Sequence, residues 1–182
     1  MSVYRASADL FVNGLTYGLL VFLGAVALGF FVMAYYLPYW SMRSVFAAAA
    51  ILCLSIPLLS YLYSPRSYAL TSQSLIVRRP LSDVEIPFGS IRDVEKTAAW
   101  FGAAWKTLPG GNSGLFGIYG TFRNDDLGRF RMYATRASNA VIVHTDAETI
   151  VLTPDERDRF IEELRSRIHP ISGTAAEKRE GS

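Results

Sequence analysis

The 182-residue chain predicts an α+β membrane protein: an N-terminal transmembrane helical hairpin, then a β-sandwich or partly open barrel capped by one C-terminal α-helix. Three observations carry this expectation. Charge is missing from two long stretches near the N-terminus, short alternating runs fill the middle, and one well-signalled amphipathic helix follows them. The corresponding division is a hairpin over 1–65, a β domain over 66–169 and a disordered tail over 170–182.

No charged residue lies between Asp9 and Arg43, and none between Arg43 and Arg66. Of the 18 Lys+Arg, all but Arg5 and Arg43 come after residue 65, and so do all of the 16 Asp+Glu except Asp9. An apolar third is thus joined to a hydrophilic two-thirds. The net charge of +2 is too small to argue for a nucleic-acid partner. One cysteine, Cys53, excludes an internal disulfide, and with two histidines it excludes a structural zinc site. Cys53 reads as a small apolar filler.

The hairpin comes first. The stretches 15–37 and 44–63 hold 23 and 20 uncharged residues, each long enough as a helix to cross a hydrocarbon core about 30 Å thick. Both exceed the core of a cleavable secretory signal. Tyr35, Tyr36, Tyr39 and Trp40 cluster where the first helix would leave the bilayer, and Tyr61, Tyr63 and Tyr68 where the second would. Amphipathic rings favour that depth. The short link "PYWSMRS" makes the helices antiparallel neighbours. Gly14 with Gly18, Ala25 with Gly29, and the run Ala47 to Ala50 offer small faces for close helix approach, without fixing which face is used. Arg43 lies in the link, whereas Arg5, Arg66, Arg78 and Arg79 lie on the other side. That balance places a two-pass protein in the inner membrane with both termini cytoplasmic.

After Pro65 the period changes to two. "SYALTSQSLIVRRP" reads as two strands around a Ser-Gln-Ser turn, and "DVEIPFGSI" alternates apolar and polar positions. "GIYGTF" and "RFRMYATR" flank the turn "RNDDLG"; Phe130, Met132 and Ala134 share one face, opposite Arg129, Arg131, Tyr133 and Thr135. "NAVIVHTDAETIVLTP" repeats the hairpin design. Some seven short strands result. The closing helix carries a capping box, with Thr153 as N-cap, Pro154 in the first turn and Glu156 three residues on. Asp155 and Asp158 suit its positive end, Phe160, Ile161, Leu164 and Ile168 form its stripe, and Pro170 stops it.

Residues 108–130 hold six glycines, with Gly111, Gly114, Gly117 and Gly120 spaced by three. A phosphate-binding loop needs a following Lys-Ser/Thr at a helix start. Here an aromatic alternation follows, so the glycines read as a turn and a curved strand. His144 and His169 lack nucleophile or metal partners in any motif, and Asp125 and Asp126 occupy a turn tip. No catalytic, cofactor or metal residue is therefore assigned. Trp100, Phe101 and Trp105, beside Lys96 and Lys106, read either as core filling or as a segment dipping into headgroups. Residues 66–136 carry ten Lys+Arg against six Asp+Glu, while 137–169 carry four against seven. The candidate membrane-interface or headgroup contacts are Tyr39, Trp40, Trp100, Trp105, Arg78, Arg79, Arg129, Arg131 and Arg136.

The two-helix start, "YALTSQSLIV", "EIPFGSI", "GLFGIYGTF…LGRFRMYATR" and "TPDERDRFIEEL" together resemble a bacterial pleckstrin-homology (PH-like) domain protein over residues 66–168. The most specific part is Leu115 to Arg136. The resemblance implies a seven-stranded bent sandwich capped by one helix, and no catalytic activity. The expected function is that of a non-enzymatic, membrane-anchored scaffold or adaptor for protein partners or lipid headgroups. Its expected partners are the bilayer and either another protein or a second copy of the chain, with no nucleic acid. The alternative is a small accessory subunit of a membrane transporter or membrane enzyme complex.

Overall fold

The computed structural model describes residues 1–97, 106–109, 111–136 and 138–168. The expectations for Trp100, Phe101, Trp105, His169 and the tail fall outside these residues. The helices are α1 (Leu10–Tyr36), α2 (Trp40–Tyr63) and α3 (Arg157–Ile168). The strands are β1 (Ser2–Arg5), β2 (Ser67–Leu70), β3 (Ser74–Arg78), β4 (Val84–Pro87), β5 (Ile91–Thr97), β6 (Lys106–Thr107), β7 (Asn112–Ser113), β8 (Ile118–Asn124), β9 (Gly128–Ala134), β10 (Ala140–Thr145) and β11 (Thr149–Leu152).

Both long helices start earlier than the uncharged runs suggest, α1 at a side-chain cap and α2 by taking in residues of the expected link. Asp9 Oδ1 accepts from the Val12 N–H at 2.8 Å, which opens α1 five residues before Leu15. Arg43 is absorbed into α2, and its Nε donates to the Ala34 carbonyl at 3.1 Å near the end of α1. The link shrinks to Leu37–Tyr39. Pro57 sits inside α2. The contact between the helices uses buried Ala27 and Ala50 and the Phe30–Phe46 ring pair at 5.9 Å. Nothing lies within 4 Å of a Cβ built on Gly14, Gly18, Gly24 or Gly29, so the glycine steps do not make this contact. Both helices are long and apolar enough to cross a membrane, and only 6% of each apolar window is buried. A soluble protein's core helix would be mostly buried; these are not.

The β domain is two sheets. β1, β2, β3 and β4 form an antiparallel sheet in that order. The second sheet runs β5-β10-β11-β9-β8-β6, with β7 also pairing β8. All its pairings are antiparallel except β9 with β11, which run parallel, Phe130 opposite Thr149. β1 is the element the sequence reading leaves with the hairpin. It pairs with β2 from Ser2↔Leu70 to Arg5↔Ser67, so the chain joins the sheet, leaves for the helices and returns beside itself.

The main core lies between the sheets. Tyr68, Leu70, Leu75, Val77 and Ile86 face Val94, Tyr133, Val141, Val143, Ile150 and Leu152, and Phe160, Ile161 and Leu164 of α3 close one end. A second cluster, including Phe122, Phe130, Met132 and Val151, occupies the other face of the larger sheet. Removing a side chain the size of Phe160 from such a site costs about 3–5 kcal/mol. Phe130, Met132 and Ala134 do face one way and Arg129 and Arg131 the other, as their alternation requires.

The capping box does not form. α3 opens at Arg157, and the Glu156 carbonyl accepts its early N–H from Phe160 at 2.9 Å. Thr153 is taken by the core instead. Its Oγ1 accepts from the Thr135 N–H at 2.9 Å, and its own N–H donates to the Tyr68 hydroxyl at 3.2 Å. Those buried polar groups have no water to turn to, so they claim the threonine first.

Candidate functional site

The glycine-rich signature forms a joint rather than a phosphate cradle. Thr16 Oγ1 in α1 donates to the Gly114 carbonyl at 3.0 Å and accepts from the Phe116 N–H at 3.0 Å. Thr16 is buried, and Leu15 and Leu19 lie 3.1 and 3.3 Å from where a Gly114 Cβ would sit. Phe116 adopts φ 60°, a left-handed conformation that is rare for a bulky residue, and its ring meets Tyr61 of α2 edge-on at 5.4 Å. Tyr119 then donates its hydroxyl to the Ser60 carbonyl of α2 at 2.6 Å. Burial pushes the Tyr119 phenol pKa upward, which keeps it a donor. The segment 114–119 therefore holds the start of α1 and the end of α2 together. The expected curved strand begins only at Ile118.

A polar clamp secures the linker between β1 and α1. Asp155 accepts from the Ser7 N–H at 3.0 Å, the Ser7 hydroxyl at 2.6 Å and Arg136 Nη2 at 2.6 Å. Arg136 Nε and the Thr135 hydroxyl both donate to the Ser7 carbonyl, at 2.9 and 3.0 Å. Arg136, proposed from sequence as a headgroup contact, is committed to this clamp.

Beside the joint lies a cleft of ≈570 Å³ between the end of α2 and the β8–β9 face. Leu59, Ser60 and Tyr63 line one side, and Tyr119, Thr121, Arg131 and Tyr133 the other, with Arg79 at the mouth. Of the nine candidate contacts, the cleft brings together Arg79 and Arg131. Arg79 is anchored by Ser82, through Nε to its carbonyl at 2.7 Å and Nη2 to its hydroxyl at 3.0 Å. Its guanidinium carbon sits 5.7 Å from the Tyr63 ring centroid and 5.9 Å from that of Tyr133. Arg131 Nε lies 3.2 Å from Glu148 Oε2, and its pKa is raised, first by hydrogen bonding with the Tyr133 side chain. Thr121 and Glu148 carried no sequence signal toward this site, because they reach it through the pairings of β8 with β9 and of β9 with β11.

The remaining candidates lie elsewhere. Arg78 and Arg129 are exposed and do not line the cleft. Tyr39 and Trp40 are 66% and 83% exposed at the hairpin's far end, with Trp40 on a hollow of ≈480 Å³ that also involves Phe31, Arg43, Ala47 and Ala48. His144 faces Thr149 Oγ1 at 3.2 Å and Glu95 at 3.8 Å. Among the described residues, no group of three or more His, Cys, Asp and Glu could hold a metal ion.

No curated protein and no solved structure matches the chain. The family model described as the bacterial PH domain matches residues 66–168, more than half of the sequence, and the chain belongs to that family.

Proposed function

We propose that this protein is a non-enzymatic, two-pass inner-membrane protein whose PH-like domain is held against the cytoplasmic face as a scaffold for protein partners or lipid headgroups. The observation that carries this reading is the joint. Thr16, Ser60 and Tyr61 seat both apolar helices on the glycine-rich segment of the β domain, so the domain cannot drift away from the helix ends. Leu10 and Phe11, 91% and 56% exposed at the domain end of α1, would meet lipid there. Arginines Arg5, Arg66, Arg78 and Arg79 cluster on that side, as cytoplasmic flanks do.

Alkaline extraction of native membranes with protease shaving tests the placement. The chain should remain in the membrane pellet, with the β domain cleaved only when the cytoplasmic face is exposed. Release by alkali would end the membrane reading. Cross-linking that recovers lipid, with neither a protein partner nor a second copy, would remove the protein-scaffold role and leave only the lipid-headgroup reading. The second reading, an accessory subunit, is favoured by the apolar hollow at Trp40, Ala47 and Ala48. It requires co-migration with a much larger assembly in mild detergent.

A further inference from the structure

The geometry points to the outer face of the smaller sheet as the docking surface for another membrane protein, through an acidic segment that flanks one of that protein's own transmembrane helices. This deepens the proposal above and rests on its claim that the β domain sits against the cytoplasmic face. Tyr4, Tyr68, Leu75, Val77 and Ile86 point into the core, so the residues that alternate with them in β1–β4 point outward. Strand pairing sets these in two rows. Arg5, Ser67 and Arg78 form one, and Val3, Ala69, Ile76 and Glu85 the other. Arg5 ends β1 just before α1, and Ser67 opens β2 just after α2. The arginine row therefore lies on the membrane side, with the apolar row about 7 Å farther from it.

Charge defines the occupant. Val3 is 53% exposed, Ile76 half-buried, and Arg5 and Arg78 exposed. Among the described residues, no carboxylate forms an ion pair with Arg5, Arg78 or neighbouring Arg66, whose guanidinium stacks over Tyr61 at 4.4 Å. Glu85 is the one acid on the two rows, so the face is left net positive. Arg5 and Arg78 stand two strand spacings apart, about 10 Å, a gap matched by carboxylates about three residues apart in a strand or about two turns apart in a helix. A second copy does not fit. Two copies would share one bilayer and one orientation, so their two-fold axis would run along the membrane normal and set arginine row against arginine row. A flat bilayer would meet the arginines first and leave Val3 and Ile76 in water, whereas a polypeptide covers both rows. Confinement to the same membrane raises the partner's effective concentration, so a face of modest area suffices.

The test is photo-cross-linking of the full chain in native membranes, with p-benzoylphenylalanine in place of Val3, of Ile76 or, as a control in the larger sheet, of Arg129. The cross-linked peptide is sequenced by mass spectrometry. From Val3 and Ile76, and not from Arg129, the adduct should be a segment of another protein that carries paired acidic residues beside a transmembrane helix. Arg5→Glu combined with Arg78→Glu should lower its yield about tenfold. Reversing the captured carboxylates to Arg in the partner should then restore it. Thermal unfolding in detergent checks that each variant folds. If the charge reversal does not fold, Arg5→Gln combined with Arg78→Gln carries the test, with an expected loss of about threefold. Adducts with lipid alone would give the face to the bilayer and overturn the proposal. So would adducts with a second copy of this chain, adducts with a segment lacking acidic residues, a yield untouched by the arginine variants, or no adduct at all. Failure of the membrane placement itself is read separately, by alkaline extraction and protease shaving.

Discussion

Thr16 in the second turn of α1 and Gly114 in the glycine-rich loop, 98 residues apart, share a buried hydrogen bond of 3.0 Å, and this bond is where membrane-type helix and β domain become one structure. Only a small residue fits at 114, since the backbone has φ +148° and Leu15 and Leu19 pack against it. Gly117 is tighter still: an added Cβ would sit 2.7 Å from the Ala134 carbonyl oxygen, a backbone atom that cannot swing aside.

Replacing these glycines with alanine separates the joint from ordinary helix packing. Gly117→Ala, at φ +144°, should destabilise the fold by more than the 1–3 kcal/mol of backbone strain alone. Gly29→Ala, with nothing within 4 Å, should be neutral or slightly stabilising because alanine is the better helix former. Thermal unfolding in detergent reads both. Equal effects at the two positions would mean that the glycine-rich segment is not a close-packed seat.

How much of this could be read beforehand depended on whether a feature was local. The two apolar helices, the Ser74–Arg78 hairpin partner and the α3 stripe follow from periods and caps within a dozen residues. The joint, the clamp and the cleft do not. Ser60, Arg79, Tyr119 and Arg131 meet only after β8 and β9 pair, and the parallel β9–β11 pairing has no turn signal to announce it. β1 was hidden for a related reason: four residues ahead of a long apolar run carry too little pattern to reveal a partner 65 positions on. Thr153 shows the opposite failure. A valid local signal, the capping box, lost to a tertiary demand from Tyr68 and Thr135.

Tyr68 makes the next prediction. It is fully buried, donates to the Tyr133 carbonyl and accepts from the Thr153 N–H. Burial pushes its pKa up to about 12 from 10. Because the folded state keeps the proton that the unfolded state gives up, this stabilisation is complete below pH 10 and is lost as pH rises toward 12. Tyr68→Phe should cost about 1–3 kcal/mol by leaving two buried backbone groups unsatisfied. It should also make unfolding less steep between pH 10 and 12. Tyr4, also held near 12, will keep part of that slope. An alkaline profile identical to the parent's would contradict the assignment.

At low pH the governing group is Glu163. Burial works to raise its pKa, but hydrogen bonds from Ser2 Oγ at 2.6 Å, the Tyr4 hydroxyl and Arg167 outweigh it and hold the carboxyl down to about 2. A depressed carboxylate stabilises the fold above its unfolded pKa near 4.5, and that contribution disappears as pH falls through 2. Glu163→Gln should therefore lower stability at pH 7 by about 1.5–3 kcal/mol and flatten the acid limb below pH 4.5. Hydrogen exchange should show β1 loosening first, since Ser2 and Tyr4 tie that strand to α3 through this carboxylate.

Asp155 ties the linker between β1 and α1 to the β domain. Its carboxylate holds Ser7 twice and Arg136 once, while Arg136 also grips the Ser7 carbonyl, so four interactions converge on the few residues between β1 and α1. Asp155→Ala would leave Arg136 without its carboxylate and Ser7 without an acceptor for its N–H and hydroxyl. The clamp is only about a quarter exposed, 27% for Arg136 and 24% for Asp155, so solvent cannot fully replace it. The expected cost is about 2–4 kcal/mol. The effect should be localised: faster amide exchange at Ser7 and new proteolytic cleavage between Ala6 and Asp9, with the core around Phe160 protected as before. Arg136→Lys should recover part of the protection, since an ammonium can meet either Asp155 or the Ser7 carbonyl but lacks the fork that spans both. If Asp155→Ala instead loosened the whole domain evenly, the clamp would be an ordinary surface ion pair with no privileged hold on the linker.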